Sequence, residues 1–211
     1  MTRILIVDDH MIIRRGLTGI LADNPCVGYI AEASDGPSAM RALRSEAFDV
    51  VLLDIALGDR DGLDVLKSIR HEFPLLGVIM LSVYPESQFA LRSIRGGANA
   101  YLNKSCSPDE LFAAIAKVAG GGLYISPGIA ELLAQNVRQD TVAEPHESLS
   151  NRELQVLQLL AEGRTVSEIA RQLSLSVNTI STYRSRVCEK LGVHSMMELF
   201  AYAARHQLCP L

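Results

Sequence analysis

The sequence lacks tryptophan, has only four cysteines and contains no long apolar run. Its cysteines, Cys26, Cys106, Cys188 and Cys209, are scattered without a C-x-x-C pair or a histidine at ligand spacing. This pattern argues against a disulfide framework or a zinc site and is typical of reduced cytosolic thiols. No stretch reaches the roughly 18 apolar residues of a membrane helix. Residues 1–3 lead directly into a strand-like run and not into a signal peptide, so we expect a cytoplasmic protein with no membrane partner.

A strong excess of basic residues is also absent, because the formal net charge is −4. The balance nevertheless differs between two parts of the chain. Residues 1–147 contain 13 Lys and Arg against 19 Asp and Glu, whereas residues 148–211 contain 7 against 5. A length of 211 residues accommodates two domains. We therefore expect an acidic first domain and a mildly basic second domain, which fits a nucleic acid partner for the second.

Acidic residues follow two short apolar runs in the first third of the chain. Asp8 and Asp9 come directly after Ile4–Val7, and Asp54 comes directly after Val50–Leu53. Such β-branched runs are typical of strands buried on both faces of a parallel sheet, and the carboxyl ends of these strands lie at one edge. Carboxylates gathered there repel one another unless a divalent cation neutralises them, and oxygen ligands suit Mg²⁺. The sequence therefore predicts a magnesium-dependent phosphoacceptor site.

Strand-like and helix-like segments alternate through the first 120 residues. The predicted strands lie near 3–7, 27–32, 49–53, 77–81 and 99–102, and the amphipathic segments near 11–22, 36–46, 61–71, 86–95 and 108–118. Five such units predict an α/β domain with a doubly wound, five-stranded parallel sheet. We assign this domain to residues 1–122, because three consecutive glycines close it.

The rest of the chain has a different pattern. Residues 123–148 are predicted to contain a short helix that begins at Ser126-Pro127, followed by a polar linker at 138–148. Residues 149–211 show only helical periodicity, and Ser150 with Glu153 forms the capping box of the first helix. Four short helices, the second and third forming a helix-turn-helix pair, predict an all-α DNA-binding domain.

Several segments resemble those of one family of bacterial regulators. They are LIVDDH at 5–10, VLLD at 51–54, LS at 81–82, AYLNK at 100–104, LSNRELQVLQLLAEG at 149–163, SEIARQLSLSVNTIS at 167–181 and EKLGV at 189–193. In this order and spacing they resemble response regulators of the NarL/FixJ type, in which a receiver domain precedes a LuxR-type helix-turn-helix domain. Residues 183–186 and 205–209 are most similar to the GacA/UvrY branch. The resemblance implies a non-enzymatic transcriptional regulator that is phosphorylated by a sensor histidine kinase and binds double-stranded DNA.

The resemblance also implies a role for each residue of the predicted site. Asp54 accepts the phosphoryl group, Lys104 neutralises its oxygens, and Ser82 supplies a hydroxyl that moves towards it. Tyr101 is the switch aromatic, which turns inward once that hydroxyl has moved. The implied Mg²⁺ ligands are Asp8, Asp9, Asp54 and the backbone carbonyl of Ala56. Phosphoryl transfer of this kind depends on positioning and charge stabilisation.

Other polar residues near the site have simpler interpretations. His10 follows the acids and is predicted to be a helix-start residue and not a metal ligand. Asp59, Asp61 and Asp64 alternate as in a calcium loop, but they lack the full spacing and terminal Glu of an EF-hand. We therefore interpret these three as acids favoured by the dipole at a helix N-terminus.

The third helix of the second domain is the predicted DNA-reading element. A helical projection of residues 180–191 places Ile180, Val187 and Leu191 on its inner side. The resemblance implies DNA contacts at the helix start and on the outer side, from Asn178, Thr179, Ser181, Thr182, Ser185 and Arg186. Arg184 has two open interpretations, a source of positive charge for DNA or a brace for an acid such as Glu168.

Few basic groups in this domain neutralise few phosphates, so specific binding requires two copies on two half-sites. The last helix carries an apolar stripe, part of which packs on its own domain. The remainder is a predicted dimer seam, within the set Met196, Leu199, Phe200 and Ala203. We therefore expect a homodimer when the protein is phosphorylated or bound to DNA.

Two alternative functions compete with this interpretation. An enzyme, such as an Asp-nucleophile phosphatase or a flavodoxin-like protein, shares the α/β layout. Such a phosphatase needs a general acid and a cap segment, which neither the linker nor the compact helical tail provides. The second alternative is a receiver that acts through protein contacts without phosphorylation, and the presence of Asp54, Ser82 and Lys104 argues against it.

Overall fold

In the computed structural model of the chain, the apolar runs of the first domain form the strands of one parallel sheet. The structure describes residues 1–57, 60–138, 145–173, 175–206 and 208. The chain divides into two compact units, Met1–Gln139 and Asp140–Leu211. Within the described residues, no helix combines the length and apolarity needed to cross a lipid bilayer.

The strands of the first unit are, in chain order, β1 (Thr2–Val7), β2 (Val27–Ala33), β3 (Val50–Asp54), β4 (Ala56–Leu57), β5 (Arg60–Asp61), β6 (Gly77–Ser82) and β7 (Ala100–Asn103). Five of them form the parallel sheet, in the order β2-β1-β3-β6-β7. Ile4–Val7 and Val50–Leu53 are fully buried, as expected for strands covered on both faces. The predicted five-stranded parallel sheet is therefore confirmed.

A short hairpin of β4 and β5 follows β3 directly, and the sequence pattern does not indicate it. Ala56 pairs with Asp61 in antiparallel register. Gly58 and Asp59, which connect the two strands, lie outside the described residues. Strands of two residues are too short to show the alternation that identifies a strand from sequence.

Helices cover both faces of the sheet. In the first unit they are α1 (Met11–Ala22), α2 (Gly36–Ser45), α3 (Gly62–Glu72), α4 (Glu86–Arg95), α5 (Pro108–Ala119) and α6 (Pro127–Arg138). Leu21 of α1 and Ile115 of α5 pack in one cluster with Ile6 and Leu52 of the strands. Leu53 follows Leu52 and therefore points to the opposite face of the sheet, where it is equally buried. Helices α2, α3 and α4 contact strands β1, β3 and β7, respectively. These helices match the amphipathic segments predicted from the sequence.

Helix α6, the short helix predicted after the glycines, packs against α4. Ile129 is fully buried in this contact region, and Ser126 at the start of α6 is 7% exposed. The Ser126 hydroxyl donates to Glu86 Oε1 at 2.7 Å and accepts from the Ile129 amide at 3.2 Å. One hydroxyl therefore caps α6 and links it to the first residue of α4.

The second unit is helical in its described residues. It comprises a 3-10 turn (Pro145–Ser148) and the helices α7 (Asn151–Ala161), α8 (Val166–Gln172), α9 (Val177–Leu191) and α10 (Met196–Arg205). Of the linker predicted at 138–148, residues 139–144 lie outside the described residues, and the last part forms the 3-10 turn. Helix α9 packs against α7 and α8, and α10 packs against α7.

Local side-chain bonds begin these helices where the sequence predicts. The Ser150 hydroxyl accepts from the Glu153 amide at 3.3 Å, and the Glu153 carboxylate accepts from the Ser150 amide at 2.7 Å. This reciprocal pair is the predicted capping box of α7. Gly192 ends α9 with a positive φ of 66°, a conformation that disfavours residues with a Cβ atom.

We predict that Ser126→Ala will increase amide hydrogen exchange in α6 by about five-fold, because the loss of a capping serine costs about 1 kcal/mol. Hydrogen–deuterium exchange of the full chain, resolved by mass spectrometry, measures this effect. Ser107→Ala is the matched control, since Ser107 caps α5 by accepting from the Glu110 amide at 3.2 Å. It should loosen α5 and leave α6 unchanged. If α6 exchanged equally fast in Ser126→Ala and in the wild type, the Ser126 hydroxyl would not hold the start of α6.

Candidate functional site

The three predicted carboxylates converge at one edge of the sheet. Asp8 and Asp9 follow β1, and Asp54 ends β3; these strands are neighbours, with Val7 opposite Leu53. Asp8 and Asp54 are only 1% and 2% exposed. The side chain of Asp9 is 29% exposed. Parallel pairing therefore places the acids side by side, as the sequence predicted.

Lys104 lies between the two buried acids. Its ammonium nitrogen is 2.6 Å from Asp8 Oδ2 and 2.8 Å from Asp54 Oδ2, and its side chain is 10% exposed. The Lys104 amide donates to the Ser82 carbonyl at 2.7 Å, which fixes the backbone beyond β7 against the end of β6. One cation therefore compensates two carboxylates in a nearly dry environment.

The pKa values of Asp54 and Lys104 indicate that one ammonium only partly offsets the two buried carboxylates. Burial is the largest cause of a pKa of Asp54 that is raised from 3.8 to about 6; Lys104 opposes this rise, and the charge of Asp8 adds to it. Burial lowers the pKa of Lys104, but attraction to Asp54 and Asp8 outweighs it, so the pKa of Lys104 is raised. The ammonium remains charged at neutral pH, and the acids retain excess negative charge that attracts a cation.

The ligand atoms gathered at this edge of the sheet fit a divalent cation. Asp8, Asp9, His10 and Asp54 each present one ligand atom, and these atoms lie within 4.8 Å of one another. Carboxylate oxygens are the ligands that Mg²⁺ prefers. The Ala56 amide donates to Asp54 Oδ1 at 3.1 Å, which places Ala56 beside the acid. Its carbonyl as a further ligand stays a prediction.

The predicted hydroxyl and aromatic also lie at this edge. Ser82 is 1% exposed, and its Oγ accepts a hydrogen bond from the Tyr84 amide at 3.0 Å. Tyr101 is fully buried, and its hydroxyl donates to the Tyr84 carbonyl at 2.9 Å. Burial also raises the pKa of Tyr101. In this structure Tyr101 lies inward while Ser82 Oγ accepts from the Tyr84 amide, and the order in which the hydroxyl moves and Tyr101 turns stays a prediction.

His10 and Asp61 occupy helix starts, as predicted. Asp61 caps α3 by accepting from the Leu63 amide at 3.0 Å, whereas Asp59 lies outside the described residues. His10 is the N-cap residue of α1. Its imidazole was not expected at the acidic cluster, yet Nδ1 is 2.8 Å from Asp9 Oδ1.

Arg14 contributes to the site, and the sequence interpretation did not identify it. One guanidinium nitrogen donates to the Asp8 carbonyl at 2.5 Å, and another donates to Glu32 at 3.3 Å. The bond to the carbonyl holds the backbone turn that presents Asp8 and Asp9. The only sequence signal is an arginine one helical turn after His10, which equally fits a solvated helix face.

Helix α9, the predicted DNA-reading helix, has the expected polar surface. Ile180, Val187 and Leu191 are buried, as the projection predicted. Thr182, Ser185 and Arg186 are exposed, and so is Asn178, while Thr179 and Ser181 are partly exposed. The hydroxyls of Thr182 and Ser185 donate to the carbonyls of Asn178 and Ser181 one turn earlier, at 3.0 and 3.1 Å. These side chains are accessible but bond to their own helix.

Arg184 does not brace Glu168. The Glu168 carboxylate accepts instead from the amide and hydroxyl of Thr165, each at 2.8 Å, and closes the capping box of α8. Arg184 lines a surface cleft of about 680 Å³ beside α9, together with Cys188 and His194.

The apolar stripe of α10 divides, as expected, between the domain core and an exposed remainder, and the dimer seam itself stays a prediction. Leu199 and Ala203 are fully buried on the helix that packs against α7, so they serve the domain core and cannot form a surface seam. Met196 is partly exposed and Phe200 is 40% exposed. Met197 is 81% exposed, and the sequence interpretation did not include it.

The raised pKa of Asp54 predicts a pH-dependent stability. Between about pH 4 and 6 Asp54 binds more protons in the folded chain than in the unfolded chain, so its contribution to stability falls as the pH rises through this window. Asp54→Asn removes this cost. We expect it to stabilise the metal-free receiver by about 2 kcal/mol more at about pH 7.5 than at about pH 4.

Urea unfolding of both proteins at the two pH values measures this difference. Asp64→Asn is the matched control, because the Asp64 side chain is 67% exposed on α3. A gain from Asp54→Asn that does not change with pH would contradict the burial argument.

Two family descriptions match the two parts of the chain. Residues 4–116 match the "Response regulator receiver domain", and residues 147–203 match "Bacterial regulatory proteins, luxR family". These ranges contain, respectively, the acidic edge of the sheet and the recognition helix α9.

The chain is similar to characterised regulators over nearly its full length. It is 37% identical to response regulator UvrY of Escherichia coli K12, over 99% of this chain and 96% of that protein. It is 35% identical to response regulator GacA of Pseudomonas aeruginosa, over 98% of this chain and 97% of that protein. Transcriptional regulatory protein UhpA of Escherichia coli K12 is 38% identical, over 94% and 96%.

Solved structures resemble the chain as well. An RcsB–DNA complex matches with a TM-score of 0.58 and 27% identity, over 96% of this chain and 98% of that one. RcsB from Salmonella enterica serovar Typhimurium, bound to promoter rprA in the presence of the phosphomimetic BeF3⁻, matches with a TM-score of 0.60 and 26% identity, over 97% and 99%. With both family descriptions matched in order, the chain belongs to the NarL/FixJ response regulators, DNA-binding transcriptional regulators with a receiver domain and a LuxR-type domain.

Proposed function

We propose that this response regulator is activated by phosphorylation of Asp54, with a sensor histidine kinase as the donor and Mg²⁺ as the cofactor. The observation that carries the proposal is the buried bridge of Lys104 between Asp8 and Asp54, at 2.6 and 2.8 Å. The Lys104 ammonium is therefore placed where it can compensate the oxygens of a phosphoryl group on Asp54.

In the proposed reaction, a carboxylate oxygen of Asp54 attacks the phosphorus of a phosphohistidine. The new O–P bond forms as the P–N bond breaks, and the imidazole nitrogen of the kinase keeps the electron pair. With a pKa of about 6, Asp54 is largely ionised at neutral pH and therefore nucleophilic. Asp8, Asp9, Asp54 and the Ala56 carbonyl would hold Mg²⁺, which when bound offsets the charge of the phosphoryl oxygens.

A continuous series of contacts provides a route from this site to α6. Phosphorylation draws the Ser82 hydroxyl to the phosphoryl oxygens and removes the acceptor of the Tyr84 amide, now 3.0 Å away. The Tyr84 carbonyl holds the hydroxyl of Tyr101. The same loop leads into α4, whose first residue, Glu86, binds Ser126 at the start of α6.

The output is sequence-specific DNA binding by α9 as a homodimer. The exposed Arg186 meets a phosphate, while Ser181, Thr182 and Ser185 face the bases, and Asn178 and Thr179 lie near the backbone at the helix start. The resemblance to RcsB bound to promoter DNA supports this assignment. The exposed face of α10 formed by Met197 and Phe200 is the proposed contact between copies.

We predict that Asp54→Asn will abolish phosphoryl uptake from a small phosphoryl donor in the presence of Mg²⁺. Intact-mass spectrometry of the wild type should show one added phosphoryl group, which the variant lacks. Asp64→Asn, an exposed receiver acid, is the matched control and should be labelled at the wild-type rate. A chelator that removes Mg²⁺ should suppress labelling of the wild type and of Asp64→Asn.

Two outcomes would contradict the proposal. Undiminished labelling of Asp54→Asn at another residue would move the acceptor elsewhere. If the wild type took no label and bound its DNA equally with and without the donor, the receiver would act through protein contacts without phosphorylation.

The route from Asp54 to α6 has its own test. Hydrogen exchange of the phosphorylated wild type should be faster at residues 84 and 127–138 than in the unmodified protein.

We predict that Arg186→Ala will weaken DNA binding and reduce the slope of log affinity against log salt by about one unit, because one phosphate contact is lost. Ser181→Ala is the matched comparison on the same helix. It should change the preference among operator sequences with little change in slope. Titrations at several salt concentrations measure both quantities, and identical effects of the two variants would overturn the division between phosphate and base contacts.

A further inference from the structure

A nitrogen atom that could bind a metal lies beside the acidic cluster of Asp8, Asp9 and Asp54. His10 Nδ1 lies 2.8 Å from Asp9 Oδ1 and 3.3 Å from Asp8 Oδ1. His10, Asp8, Asp9 and Asp54 together place four potential ligand atoms within 4.8 Å of one another. The His10 side chain is 64% exposed, so an ion can reach the imidazole directly from solvent.

Backbone hydrogen bonds hold residue 10 beside the acids. The His10 amide donates to Asp8 Oδ1 at 2.8 Å, and the His10 carbonyl accepts from the Arg14 amide at 3.1 Å. Arg14 also holds the Asp8 carbonyl through its guanidinium. The backbone of His10 is therefore held beside Asp8 at the start of α1, and in the structure Nδ1 faces Asp8 and Asp9.

The separations match those of ligands on one ion. Metal–nitrogen and metal–oxygen bonds of about 2.0–2.2 Å put two ligands at right angles roughly 3 Å apart. The distances from His10 Nδ1 to Asp9 and Asp8, 2.8 and 3.3 Å, bracket this value. An ion that replaces the contact between imidazole and carboxylate can bind both without moving the backbone.

We propose that His10 is a nitrogen ligand that extends this pocket to borderline divalent metals. Imidazole suits ions such as Mn²⁺, Co²⁺, Ni²⁺ and Zn²⁺, whereas Mg²⁺ prefers oxygen ligands and retains its water. The receiver therefore binds these metals through His10 with Asp9 and Asp8, in addition to Mg²⁺ through the carboxylates. The proposal rests on the acidic pocket of the proposed function being a cation site.

The distance of 2.8 Å is also that of a hydrogen bond from the imidazole to Asp9, so the experiment must detect a metal–nitrogen bond directly. Pulsed electron paramagnetic resonance of the full chain loaded with Mn²⁺ detects the ¹⁴N coupling of a bound imidazole. We expect this coupling in the wild type and its loss in His10→Ala and His10→Gln. His71→Ala is the matched control, because His71 is an exposed histidine on α3, and it should retain the coupling.

Binding titrations give the second measurement. We expect Zn²⁺ and Ni²⁺ to bind His10→Gln at least ten-fold more weakly than the wild type, with Mg²⁺ affinity changed less than two-fold. Circular dichroism confirms that each variant is folded.

If the ¹⁴N coupling is absent from the wild type, or persists in His10→Gln, His10 is not a metal ligand and the proposal is overturned. If the protein still binds Mg²⁺ in that case, the proposed function is unaffected. If the wild type binds neither Mg²⁺ nor Mn²⁺, the cation site of the proposed function fails as well.

Discussion

The buried contact of Lys104 with Asp8 and Asp54 is the interaction on which the receiver depends. Two carboxylates with almost no exposure share one ammonium, so the group retains excess negative charge. Each buried charge costs several kcal/mol in desolvation, and a single cation offsets only part of this cost. The raised pKa of Asp54 reflects the remainder. A divalent ion bound beside these carboxylates would offset the same excess charge, which is the basis of the proposed Mg²⁺ site.

Such a cluster requires rigid support. The strands that carry it are fully buried, and neighbouring strands fix the positions of Asp8 and Asp54 through their register. Arg14 holds the Asp8 carbonyl from α1. On the other side, α3 approaches Asp54 so closely that a Cβ atom at Gly62 would lie 2.0 Å from the Asp54 carbonyl oxygen. Packing from the neighbouring strands, α1 and α3 keeps the acids together despite their repulsion.

The second unit uses charge differently. Glu153 is 3% exposed, yet it caps α7 at the Ser150 amide and binds Lys190 near the end of α9 at 2.6 Å. One carboxylate thus fixes the start of one helix against the end of the recognition helix. Arg186 and the hydroxyls of α9 are left on the exposed side, where their contacts are to solvent or to their own helix.

The sequence by itself determined what depends on local patterns. The buried strands ending in Asp8 and Asp54, the amphipathic helices and the Ser150 capping box follow from periodicity and from residues a few positions apart. Tertiary structure decided the rest: the inward position of Tyr101, the burial of Leu199 in the domain core, and the imidazole of His10 beside Asp9. The physical reason is that these depend on which distant elements share space, and no local period encodes that.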